Sequence, residues 1–72
     1  MEKSLIYQES YAKELQHLQH LQTEKGNVHA IRHAKCYKDW LVEQDDFRYN
    51  DDLQGEYDAC EKFLTDLNAL AS

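Results

Sequence analysis

An all-α fold is predicted from this sequence: a small antiparallel three-helix bundle made of a helical hairpin and a third helix. Three observations point there. Proline is absent and glycine occurs only at Gly26 and Gly55, while the good helix formers Leu, Glu, Gln, Lys and Ala are abundant. Apolar residues recur at steps of three and four along three stretches. Two short polar segments, Lys25-Gly26-Asn27 and Gln44 to Asn50, break that rhythm and divide the chain into three. A chain of 72 residues makes one domain at most and hides only roughly 60% of its extended surface on folding. Tight packing or self-association must supplement so thin a core, which keeps a dimer open as an assembly state.

The first helix is expected over residues 3–24, with Tyr7, Tyr11, Leu15, Leu18 and Leu21 along one stripe. Gly26 suits the position just past a helix end, where a positive φ is needed, and Asn27 suits the N-cap of the next helix. The second helix, 28–44, carries Ala30, Ala34, Tyr37 and Leu41 on one stripe and His29, His33, Cys36 and Trp40 on another about 100° away. A central helix touching two neighbours accounts for both stripes. Residues 44–50 read as a structured loop in which Phe47 and Tyr49 fold back as an apolar plug. Asn50 or Asp51 can cap a third helix, 51–70, whose stripe is Leu53, Tyr57, Cys60, Leu64, Leu67 and Ala71.

Charge limits the function classes. The net charge is −6, yet residues 1–38 carry +2 and residues 39–72 carry −8. An acidic second half repels phosphate, so direct nucleic-acid binding is not expected. No long apolar run suggests a membrane span, and no basic segment precedes an apolar one after Met1, so a cytoplasmic protein is expected. Cys36 and Cys60, without a secretory signal, read as two reduced core thiols.

No nucleophile stands at a spacing that implies a base, and no glycine-rich phosphate cradle occurs, so the chain is expected not to be an enzyme and to need no cofactor. Four histidines form two pairs, His17 with His20 and His29 with His33, either of which could grip a metal from one helix face. A four-histidine site across the hairpin conflicts with His20, which points away from the apolar stripe. His29, His33 and Cys36 form the other candidate set. Asn50 to Glu61 places Gly55 and Glu61 where a calcium loop has its sixth and twelfth residues, but Asn50 and Gln54 depart from that pattern. A capped helix explains the same residues with fewer departures.

The remaining signal is surface. Five tyrosines, two phenylalanines and one tryptophan exceed what a thin core hides. Tyr7, Trp40, Phe47 and Tyr49 are the aromatic residues the stripes need least, and they are the candidates for docking another protein or a second copy of the chain as a homodimer. The expected function is therefore a small acidic, non-enzymatic interaction or regulatory protein. Two other readings compete with it. The acidic patch Asp45, Asp46, Asp51, Asp52, Glu56 and Asp58 could imitate nucleic-acid phosphates and inhibit an enzyme at a basic site. A metal-stabilised helical domain is the other.

Overall fold

The computed structural model describes residues 4–71, with side chains described through Asn68. It contains three helices: α1, Leu5–Lys25; α2, Asn27–Val42; and α3, Asp51–Ala71. Lys3, the predicted start of the first helix, and the Ala71 side chain on the predicted third stripe lie outside the described residues. Among the described residues, no helix is long and apolar enough to cross a membrane.

Each helix begins where a side chain or a turn can satisfy its free amides. The extended Ser4 caps α1, its Oγ accepting the Tyr7 N–H at 3.1 Å. The end of α1 and the start of α2 share one residue, Gly26, at φ +94°. Its N–H donates to the Gln22 carbonyl, and its own carbonyl accepts from Ala30. Asn27 therefore does not cap α2 as predicted. The turn is one residue, Gly26, where the sequence suggested three, so the capping position falls on glycine, and Asn27 Oδ1 instead accepts from Gln22 Nε2 at 2.8 Å. At α3 the expectation holds: Asn50 Oδ1 accepts from the N–H groups of Asp52 and Leu53 at 2.9 and 3.3 Å. The segment read as a partial calcium loop is thus a cap followed by continuous helix, and Glu61 pairs with Lys38 at 2.8 Å.

Between α2 and α3 the chain makes successive tight turns, closed by bonds such as Tyr49 N–H to the Asp46 carbonyl at 2.9 Å. Gln54 Nε2 donates back to the carbonyls of Phe47 and Arg48 and fastens this loop to α3. Phe47 folds in as expected, its ring meeting Tyr57 edge-on at 5.3 Å. Tyr49 does not join it and is 86% exposed.

The core is Leu18 of α1, Ala30 and Ala34 of α2, and Cys60 and Phe63 of α3, flanked by Leu15, Leu21, Tyr37, Leu64 and Leu67. On α2 the predicted first stripe is right: Ala30, Ala34 and Leu41 are buried. The second stripe is not a second buried face, because His29, Cys36 and Trp40 are exposed and only His33 turns inward. The two alanines let α2 lie close to both neighbours on a single narrow face, so no wider one is needed.

On α1 and α3 the buried face keeps Leu18 and Cys60 of the predicted stripes but is rotated away from their other members. Ser10 and Glu14 are buried while Tyr7, Tyr11 and Leu15 are only half-buried; Gly55, Ala59 and Phe63 are buried while Leu53 and Tyr57 are half-buried. The reason is a close crossing at Gly55. A Cβ placed there would stand 2.5 Å from the Tyr7 carbonyl oxygen and 3.1 Å from Ser10 Cβ and Tyr11 N, so the α1 backbone occupies the space a side chain would need. Small residues, not large apolar ones, set this interface.

Gly55 meets α1 near Ser10, and Phe63 shares the core with Leu18, so α1 and α3 run in the same sense with α2 antiparallel to both. One end of the molecule, 32 Å in its longest dimension, therefore gathers the start of α1, the α2–α3 loop and the start of α3. The other gathers the Gly26 turn and the far part of α3.

Candidate functional site

Three hydroxyl groups lock α3 onto its neighbours. Tyr7 donates to Asp58 Oδ2, Ser10 to Asp52 Oδ1, and Tyr37 to Glu56 Oε2. Burial, with the Asp58 carboxylate beside it, pushes the Tyr7 hydroxyl up to about 12, and burial beside Glu56 raises Tyr37 as well. Both stay protonated and remain donors at neutral pH. Three acids of the predicted patch accept these bonds from α1 and α2: Asp52, which stays exposed, and Glu56 and Asp58, which are half-buried; Asp45, Asp46 and Asp51 are exposed at the loop end. Tyr7, one of the four predicted docking aromatics, is likewise half-buried, and so is Phe47. Trp40 and Tyr49 remain outside, at 50% and 86% exposure.

The histidines divide in an unforeseen way. His29 and Cys36 lie exposed on α2, and His20 faces solvent beside Glu24 at 3.3 Å. His33 instead crosses to α1, where its ring meets His17 edge-on at 5.2 Å. Glu14 stands one turn before His17, and one ligand atom from each of Glu14, His17 and His33 lies within 4.8 Å of the others. His33 also stacks on Tyr37, and Tyr37 on Trp40, at 5.9 and 5.7 Å, so an aromatic ladder fixes the imidazole from behind.

Glu14 is the anomaly of this cluster. It is only 9% exposed, and its Oε2 has no hydrogen-bond partner although it is sealed from solvent. Burial raises its carboxyl above the usual carboxylate range; nearby His17 opposes the shift and Glu56 adds to it. Burial lowers His33, with smaller contributions from His17 and His29, which favours its neutral imidazole. Glu14 and His17 line a groove between α1 and α3 that also includes Ser10, Lys13, Asp52 and Glu56.

Apolar surface collects at both ends. At the loop end Leu5, Ile6 and Tyr49 are 69%, 60% and 86% exposed, and Ile6 and Tyr49 line a shallow depression with Asp46, Asn50 and Asp51. At the turn end Val28 is 72% exposed and shares a hollow with Ile31, Arg32, Lys35 and Cys36. Ile31 and Lys35 continue into a groove formed with Leu64 and Leu67 of α3. The first patch is apolar on acidic ground and the second apolar on basic ground. Among the described residues the only ion pair between helices is Lys38 with Glu61, so helix pairing does not consume this contrast.

The thiols also divide. Both are free, but only Cys60 is in the core; Cys36, predicted there too, is exposed because the second α2 stripe faces outward. Burial pushes the Cys60 thiol up to about 12, so it stays protonated and unreactive at neutral pH. A thiol reagent is expected to modify one equivalent per chain rapidly, at Cys36, and the second only at the rate of unfolding. Two fast equivalents in native buffer would place Cys60 outside the core.

Comparison of the chain with protein-family models, curated proteins and solved structures finds no match.

Proposed function

We propose that this chain is a non-enzymatic interaction protein that associates with further copies of itself, the loop end of one molecule docking on the turn end of the next. The observation that carries this reading is the pair of exposed apolar patches at opposite ends on ground of opposite charge. Ile6 and Tyr49 stand beside Asp46 and Asp51, with the exposed Leu5 next to Ile6 in the chain, whereas Val28 and Ile31 stand beside Arg32 and Lys35. Apolar contact supplies the free energy of such an interface, and the opposed charges fix its orientation and disfavour like-to-like pairing. A head-to-tail contact joins different surfaces, so it builds chains or rings and not a closed two-fold dimer. The two free thiols suit the reducing conditions of a cytoplasmic location.

Sedimentation velocity over a concentration series tests the reading. The weight-average mass is expected to climb past the dimer with concentration and to fall back in high salt, which screens the charge contrast. Tyr49→Ser and Val28→Asp each remove one side of the contact at a well-exposed position. Each is expected to weaken association at least about tenfold, since burying one such side chain is worth ~1.5–3 kcal/mol. A mixture of the two variants retains one good loop end and one good turn end, so it is expected to form a dimer that grows no further. A wild-type mass that stays monomeric throughout, or variants that associate as the parent does, overturns the reading.

A further inference from the structure

We propose that Glu14, His17 and His33 form a binding site for a single divalent transition-metal ion of the zinc type, which ties α1 to α2. Two independent observations carry this. The first is geometric: two imidazoles and a carboxylate from two helices converge with their ligand atoms within 4.8 Å of one another, and His17 Nδ1 is 3.9 Å from Glu14 Oε2. Four-coordinate zinc holds N and O ligands at ~2.0–2.1 Å, which places neighbouring ligand atoms ~3.3 Å apart. Closing the remaining gap takes small side-chain rotations. His17 can make one, because its side chain is 52% exposed.

The second observation is Glu14 Oε2 itself, a buried oxygen without a hydrogen-bond partner, on a residue of this cluster and 3.9 Å from His17 Nδ1. Burying a carboxylate oxygen unpaired costs free energy, and a cation between it and the two imidazoles supplies the missing partner. Glu14 and His17 occupy i and i+3 of α1, so they project from one face, and the hairpin brings His33 opposite them.

The ligand set also selects the ion. Two imidazoles and one carboxylate suit zinc and its first-row neighbours, whereas calcium and magnesium require mostly oxygen. Glu56, close enough to influence Glu14, adds negative potential that favours a cation and disfavours an anion. Because Glu14 and His17 line the open α1–α3 groove, water can complete the coordination from that side.

The site makes no use of the exposed apolar ends, so it can be tested on monomeric protein at low concentration and high salt. The full chain is stripped with chelator, and Zn²⁺ alone is titrated by calorimetry and by thermal melting. One equivalent is expected to bind saturably, raising the melting temperature by about 10–20 °C at a hundredfold excess over the dissociation constant. Co²⁺ is expected to bind competitively and give a visible spectrum indicating nitrogen and oxygen ligands. Glu14→Gln, His17→Ala and His33→Ala should each weaken binding at least tenfold, while His20→Ala, His29→Ala and Cys36→Ser leave it unchanged. Glu14→Gln keeps the shape of the side chain and removes the buried charge, so circular dichroism of its metal-free form should show an intact fold. The proposal is overturned by the absence of saturable binding, by undiminished binding in the folded Glu14→Gln protein, or by loss of binding through His29 or Cys36.

Discussion

Gly55→Ala is expected to destabilise the protein by about 2–4 kcal/mol, lowering its melting temperature by roughly 10–25 °C, although alanine is the better helix former. Helix propensity alone predicts the opposite sign, a gain of about 1 kcal/mol. The new Cβ would meet the Tyr7 carbonyl oxygen at 2.5 Å and the Tyr11 amide nitrogen at 3.1 Å, and both are backbone atoms of α1 that cannot rotate aside. Relief requires α1 and α3 to separate by about an ångström, and overpacking of this kind costs ~1–3 kcal/mol by itself. Separation also lengthens the bonds from Tyr7 to Asp58 and from Ser10 to Asp52, which flank the crossing; bonds to charged acceptors contribute about 1.5–3 kcal/mol each. Urea denaturation of wild type and Gly55→Ala reads the difference directly. Gly26→Ala is the informative control: its Cβ meets nothing within 4 Å, so its cost is confined to the positive φ. A stabilised Gly55→Ala protein would mean that α1 and α3 do not approach so closely.

The same crossing explains what could and could not be read from the sequence. Helix positions were legible because caps, glycine and apolar rhythm are local properties; Gly26 and Asn50 stand where the helices change. Helix rotation was not. The stripe Leu53, Tyr57, Cys60, Leu64 and Leu67 is right at Cys60, which is fully buried, and at Leu64 and Leu67, which pack against the core, but it passes over the small residues that closely packed helices put at their contact. Gly55 and Ala59, four apart, with Ser10 opposite, are that contact, and the spacing of glycine and alanine was the available signal. Read as the sixth residue of a calcium loop, Gly55 concealed its role as a point of close approach.

The histidine cluster was partly legible. With Gly26 as a one-residue turn, residues at similar distances on either side face each other, which brings His17 opposite His33 and leaves His29 without an α1 partner in the cluster. The expectation that His20 points to solvent agrees with its exposed position beside Glu24. Glu14 was invisible: a glutamate between apolar positions reads as a solvated residue, and only the tertiary arrangement shows it buried beside His17 with an oxygen that has no hydrogen bond. Its burial follows from the rotation of α1 that Gly55 imposes, so the site and the crossing share one cause.

Phe63→Ala is expected to cost about 3–5 kcal/mol, the largest loss from any single truncation in the core. A chain of this length has only roughly 4–11 kcal/mol of total stability, so the variant should be partly unfolded at 37 °C. Phe63 is 4% exposed and packs with Leu18, Ala30, Ala34 and Cys60, which join all three helices. The alanines that allow this close packing cannot expand to fill the space a lost ring leaves, so the cavity persists and adds to the transfer cost. Leu53→Ala makes the comparison decisive. Leu53 headed the stripe predicted from apolar periodicity, yet it is only half-buried and outside the core cluster, so its truncation should cost about 1 kcal/mol, a common value for a point substitution. The order of the two losses, measured by urea denaturation at equal slope, reports which face of α3 is turned inward. A larger loss at Leu53 than at Phe63 would restore the periodicity stripe as the core and remove Gly55 from the α1 contact. The reverse order fixes the rotation that places Glu14 and His17 beside His33.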